Sequence, residues 1–152
     1  MTLSDFGNFA NVVTALTAIV AVSFAGYQTM RYQKQQLETV ARSHYQDFLR
    51  LSIEYPEFFY PDYSRIDFSA QTFDGDQKKF LQYDAFFWTG MNALESLFYT
   101  IGDRASWKAT IASVLDFQAK MLASQRVRQF EDTFEPEFRE FLQPWLNPNT
   151  SA

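Results

Sequence analysis

Hydrophobic and polar positions divide the chain at Arg31. From Phe6 to Met30, 25 consecutive residues carry no charged side chain, and Val12, Val13, Leu16, Ile19, Val20, Val22 and Phe24 make the run strongly apolar. At about 1.5 Å per residue a helix of this length reaches about 37 Å, enough to cross a hydrocarbon layer of about 30 Å with some tilt. The pattern predicts a transmembrane anchor over residues 1–30. Within it Asn11, Thr14, Ala18, Ala21, Ala25 and Gln28 recur at steps of 3, 4, 3, 4 and 3. Such a small, weakly polar stripe lets a second membrane helix approach closely, although Ala and Thr are also simply common in such helices. Asn8 and Asn11 fall near the outer interface.

Beyond Met30 the period becomes helical and one-sided. No Pro or Gly interrupts residues 27 to 55, and Leu37, Ala41, His44, Phe48, Leu51 and Tyr55 follow steps of 4, 3, 4, 3 and 4. The membrane helix is therefore expected to continue as one rod whose lower half carries a bundle face. Pro56 stops it, because proline lacks a backbone donor and disfavours the helical region for the residue before it. Residues 56–75 then form an aromatic loop with Phe58, Phe59, Tyr60, Tyr63, Phe68 and Phe73. Its two prolines and its Asp74-Gly75-Asp76 turn argue against a long helix or paired strands. Covering the bundle is the plainest role for these rings, since exposed aromatic patches are uncommon; contact with lipid or a partner peptide is the alternative.

Asp76 is placed to cap a second helix running to Ile101, with Phe80, Asp84, Phe87, Met91, Leu94 and Phe98 on one face. Gly102 and Asp103 then read as a tight helix-to-helix turn. A third helix is expected from about Arg104 to Ser124, with Trp107, Ile111, Val114, Leu115, Met121 and Leu122 inward. A last helical region carries Val127, Phe130 and Phe134, is kinked at Pro136, and resumes with Phe138, Phe141, Leu142 and Trp145 before Pro144 and Pro148 end it. The fold class is thus all-α: one N-terminal transmembrane helix continuing into an antiparallel helical bundle over residues 31–146, with a frayed tail at 147–152.

Charge narrows where this architecture sits. All 13 Lys and Arg lie beyond residue 30, together with 17 of the 18 acids, so this region has a net charge of −4. That balance argues against a phosphate-binding surface for nucleic acid, which clustered cations would have to build. Residues 103–128 hold five basic and two acidic residues, and residues 129–143 hold one basic and five acidic, which makes the two segments expected neighbours. Arg31, Lys34 and Arg42 all follow the apolar run, so the positive-inside rule puts the N-terminus outside and the domain in the cytoplasm, at the inner (cell) membrane. A cleaved signal peptide is the rival reading, because Ser23 and Ala25 precede Gly26 at an acceptable spacing; against it, residues 1–8 carry Asp5 and no positive charge. On the cytoplasmic side the Asn149-Thr150-Ser151 sequon would not meet its enzyme.

Chemistry changes the picture little. With no cysteine, thiolate nucleophiles and Cys-based metal sites are excluded. Asp67, Asp74 and Asp76 lack the spacing of a calcium loop, and neither a Gly-rich phosphate loop nor a Ser nucleophile elbow is present. His44 and Asp84, with Glu95 nearby, could in principle form an acid–base pair between helices. A lone His in a bundle is more often a hydrogen-bonded core residue, and a di-metal bundle needs more than one histidine. The expectation is a non-enzyme without cofactor or metal.

The span ending in AGYQTMRYQKQQLE, the stretch YQDFLRLSIEYPEFF (45–59) and the closing QRVRQFEDTFEPEFREFL (125–142) resemble a group of uncharacterised bacterial proteins with one N-terminal transmembrane helix and a small helical domain. The resemblance implies a membrane-anchored helical domain and no reaction. Phe58 and Phe59 depart from it, where a smaller aliphatic residue is expected. The function expected from the whole reading is a membrane-anchored interaction module, an accessory subunit of a larger membrane assembly. Its partners would be the lipid bilayer and other membrane subunits or its own copies. A self-associating sensor that transmits a signal along the rod is the alternative, and an enzyme using His44 and Asp84 a remote one.

Overall fold

The structure is a computed structural model that describes residues 3–101 and 105–148, with side chains from Thr14 onward except Ile101. It is predominantly helical and falls into two compact units, Met1–Leu37 and Glu38–Ala152. Helix α1 spans Leu3–Glu54 and ends one residue before Tyr55-Pro56, as the proline requires. Among the described residues no helix is long and apolar enough to cross a membrane. From Thr14 on, the apolar run within α1 mixes its Val, Ile and Leu with Thr, Ser and Ala and closes on Gly26-Tyr27-Gln28-Thr29; Asn8, Asn11, Val12 and Val13 lie outside the described side chains.

In the second unit, α3 (Gln77–Ile101) is the central element. Its start is set by Asp76, whose carboxylate accepts the Lys78 N–H at 2.7 Å and satisfies one of the orphan donors of the first turn. The expected column of Phe80, Asp84, Phe87, Met91 and Leu94 is buried, but so are Tyr83, Phe86, Ala93 and Leu97. This helix therefore packs on two sides, which a single-face reading misses. Along α1 the bundle face is narrower than expected: Ala41 and Phe48 are buried, whereas Leu37 and His44 are exposed. Rings and groove contacts match residues 44, 48 and 51 of α1, and Tyr55 just after it, with progressively earlier positions of α3, so the two helices run antiparallel.

Between them lies the aromatic segment, and here the expectation against paired strands is corrected. After α2 (Pro56–Phe59) and a 3-10 turn at Tyr63–Arg65, Ile66–Asp67 (β1) pairs antiparallel with Thr72–Phe73 (β2). Local side chains make so short a ribbon possible. Asp67 accepts the Ser69 and Ala70 N–H groups, and Asp74 and Gly75 both take positive φ, 56° and 77°, in a tight turn closed by Phe73 and Asp76.

The expected third helix is two: α4 (Ala105–Phe117) and α5 (Ala119–Leu122), broken at Gln118. Short α6 (Gln125–Arg128) and a 3-10 turn at Glu131–Thr133 follow. Pro136 then begins α7 (Pro136–Leu146) instead of kinking a longer helix, and Pro144 sits inside its last turn instead of ending it. Proline is well placed at a first helical position, where its missing donor would be unpaired anyway. The Gly102-Asp103 turn and the Asn149-Thr150-Ser151 sequon lie outside the described residues.

Candidate functional site

Asp84, the one charged residue in the apolar column of α3, is 7% exposed. Both its oxygens are taken by Arg126 of α6, Oδ1 by Nε at 3.2 Å and Oδ2 by Nη2 at 2.8 Å. This bidentate geometry is the strong form of the interaction, and the guanidinium also lies 5.4 Å from the centre of the Phe130 ring. The pair fastens α6 to α3. His44 is exposed and sits beside Asp47, Thr89, Asn92 and Ala93. Asn92 is two turns along α3 from Asp84, about 12 Å at 1.5 Å per residue. The acid–base pair of the remote alternative is therefore not formed, and the exposed His44 is not the core residue that a lone histidine in a bundle is expected to be. Glu95 serves α7 instead. Its carboxylate accepts the Glu135 N–H at 2.9 Å, while the Tyr99 hydroxyl accepts the Phe138 N–H at 3.2 Å. The first turn of α7, which has no side-chain cap of its own, is thus capped from α3.

The polar centre of the unit was invisible as a motif. Gln118, 4% exposed, interrupts the helix and turns its amide inward. Its Nε2 donates to the carbonyls of Phe58 and Phe59 at 3.0 and 3.1 Å, and its Oε1 accepts from the Tyr83 hydroxyl at 2.9 Å. One side chain thereby ties α2, α3 and α4 together. Burial pushes the Tyr83 phenol far above its ordinary pKa, and burial also raises that of Tyr63, whose hydroxyl donates to the Phe117 carbonyl at 2.8 Å. No buried side-chain polar atom among the described residues lacks a partner, so the network is fully satisfied. The only advance signal was a Gln at an inward-facing position of the third helix.

The aromatic segment is divided in its roles. Phe58, Phe59 and Phe73 are buried, Tyr63 and Phe68 half-buried, and Tyr60 is 60% exposed. Beside them, α1 and α3 leave an apolar groove of about 250 Å³ lined by Leu51, Tyr55, Phe58, Ala85 and Phe86, with Gln82 and Thr89 at its edge. A second groove of similar size shares Thr89 with it and is lined by His44, Asp47, Asn92 and Ala93. Among the described residues no cluster of His, Asp and Glu is placed to hold a metal ion.

In the first unit the side chains of Thr14, Ala18, Ala21 and Ala25 are exposed. So are Leu16, Ile19, Val20, Val22 and Phe24, at 59 to 73%. Stepped at about 100° per residue, those five large side chains cover an arc of about 200°, with the small stripe filling much of the remainder. Comparison with protein families, with characterised proteins and with solved structures finds no match for this chain.

Proposed function

We propose that the chain is a membrane-anchored helical interaction module, its α1 held in lipid and its second unit presented as a docking domain for other membrane subunits. The observation that carries this reading is the apolar exposure of Leu16, Ile19, Val20, Val22 and Phe24 on a helix with no charged side chain from Phe6 to Met30. An arc of about 200° is too broad for a coiled-coil seam, which is a narrow stripe; a helix apolar on nearly all sides belongs in a core or in lipid. Arg31, Lys34 and Arg42 after the apolar run orient the second unit to the cytoplasm.

A second reading, self-association along α1 in a regulator, is favoured by the exposed small stripe at Thr14, Ala18, Ala21 and Ala25. Membrane fractionation separates the two. Retention of the full chain in the bilayer after alkaline carbonate washing is expected for the anchor. Release into the wash as a soluble oligomer would overturn the anchor and leave self-association.

A further inference from the structure

The five ion pairs among the described residues employ Arg50, Arg65, Lys79, Arg126 and Arg139. Arg42 and Lys108 enter none of them. Both are exposed, and each lies over an aromatic ring: Arg42 Cζ is 5.6 Å from the centre of Trp107, and Lys108 Nζ is 5.7 Å from that of Phe98. Trp107 is half-buried and meets Tyr45 edge-on at 6.0 Å. In a chain of net charge −5, this end of the second unit therefore presents two cations to the outside on a base of rings. A ring beneath a cation orders it without neutralising it. Trp, apolar in body with one polar edge, suits the boundary between lipid and water.

We propose that Arg42, Trp107 and Lys108 form a contact surface for anionic lipid headgroups. The proposal rests on the membrane-anchored reading above. Charge complementarity selects the partner: Arg42 and Lys108 are exposed cations in a chain that is acidic overall, with Glu38 one turn before Arg42 on α1, and Arg42 follows the uncharged run by twelve residues in sequence. Two cations are too few for nucleic acid, whose binding depends on many phosphate contacts. A lipid surface bearing many anionic headgroups attracts each basic residue close to it.

The test is hydrogen exchange of the full chain in nanodiscs of neutral lipid and in nanodiscs containing an anionic phospholipid. Amides around Arg42 and at the start of α4 are expected to exchange several-fold more slowly in the anionic discs, with the difference lost at high salt. The double variant Arg42→Gln with Lys108→Gln is expected to lose the difference, and Arg42→Lys with Lys108→Arg to keep it. Equal exchange in both lipids, with the protein retained in the discs, overturns this proposal and leaves the anchor standing. Failure to enter either disc overturns both. Equal slowing by inorganic phosphate in neutral discs overturns the lipid assignment in favour of a general anion site.

Discussion

Gly90 has no side chain where the Phe48 ring arrives from α1. A Cβ at this position would lie 2.6 Å from Cε2 and 2.8 Å from Cζ of that ring. The ring is held against Phe59 and Phe86 at 5.9 and 5.3 Å, so it has little room to yield. Gly90→Ala is therefore expected to destabilise the second unit by about 1–3 kcal/mol, the usual cost of overpacking a core. The denaturant midpoint reads this, and Phe48→Leu in the Gly90→Ala background should return part of the loss. Gln118→Leu removes the shared partner of the Tyr83 hydroxyl and two carbonyls. Each buried polar group left unpaired costs about 1–3 kcal/mol, so the loss should exceed that of Tyr83→Phe alone, and a double-mutant cycle should show the two coupled. Asp84→Asn leaves Arg126 with half a partner. Arg126 keeps 33% of its side chain exposed, so the expected cost is about 1–2 kcal/mol, below the 3–5 kcal/mol of a fully buried pair.

At the scale of elements, the β1–β2 ribbon is held by charge as well as by hydrogen bonds. Asp74 accepts from Arg65 through both oxygens at 2.6 Å and from Lys79 at 2.8 Å. These contacts, the Arg65 bonds first, lower its pKa from 3.8 to about 2. A carboxylate whose pKa is depressed in the folded state stabilises it fully above the unfolded value, and that contribution is lost as pH falls through the folded one. Protection of the Asp74 amide, which donates to the Arg65 carbonyl at 2.8 Å, taken relative to the intrinsic exchange rate at each pH, should fall between about pH 4 and pH 2 while α3 amides stay protected. A protection factor that holds steady over this range would show that the ion pairs do not secure the ribbon. The start of α3 at Gln77 and the stop of α1 before Pro56 were legible because each rests on a local rule, a capping Asp or a proline. The break at Gln118 was not, since its cause is tertiary: a side chain drawn to carbonyls about sixty residues away in sequence. Likewise the His44–Asp84 pairing failed because helical spacing gives a face, and only packing gives the partner, here Arg126.

For the whole molecule, the decisive property is what covers the exposed apolar side chains of α1. Lipid alone leaves the protein monomeric in a bilayer; a second copy on the small stripe makes it a dimer within one. The two differ at Ala18 and Ala21, both exposed and both on the stripe. Replacing them by Leu keeps the run apolar, so an anchor survives, yet it blocks close approach of two helix backbones. If the stripe is a contact, Ala18→Leu with Ala21→Leu should lower cross-linked dimer about tenfold, an energetic change of about 1.4 kcal/mol, while carbonate-resistant membrane retention stays unchanged. Unchanged cross-linking with unchanged retention would assign these residues to lipid. Loss of retention would mean that packing between copies, rather than the bilayer, holds α1 in place.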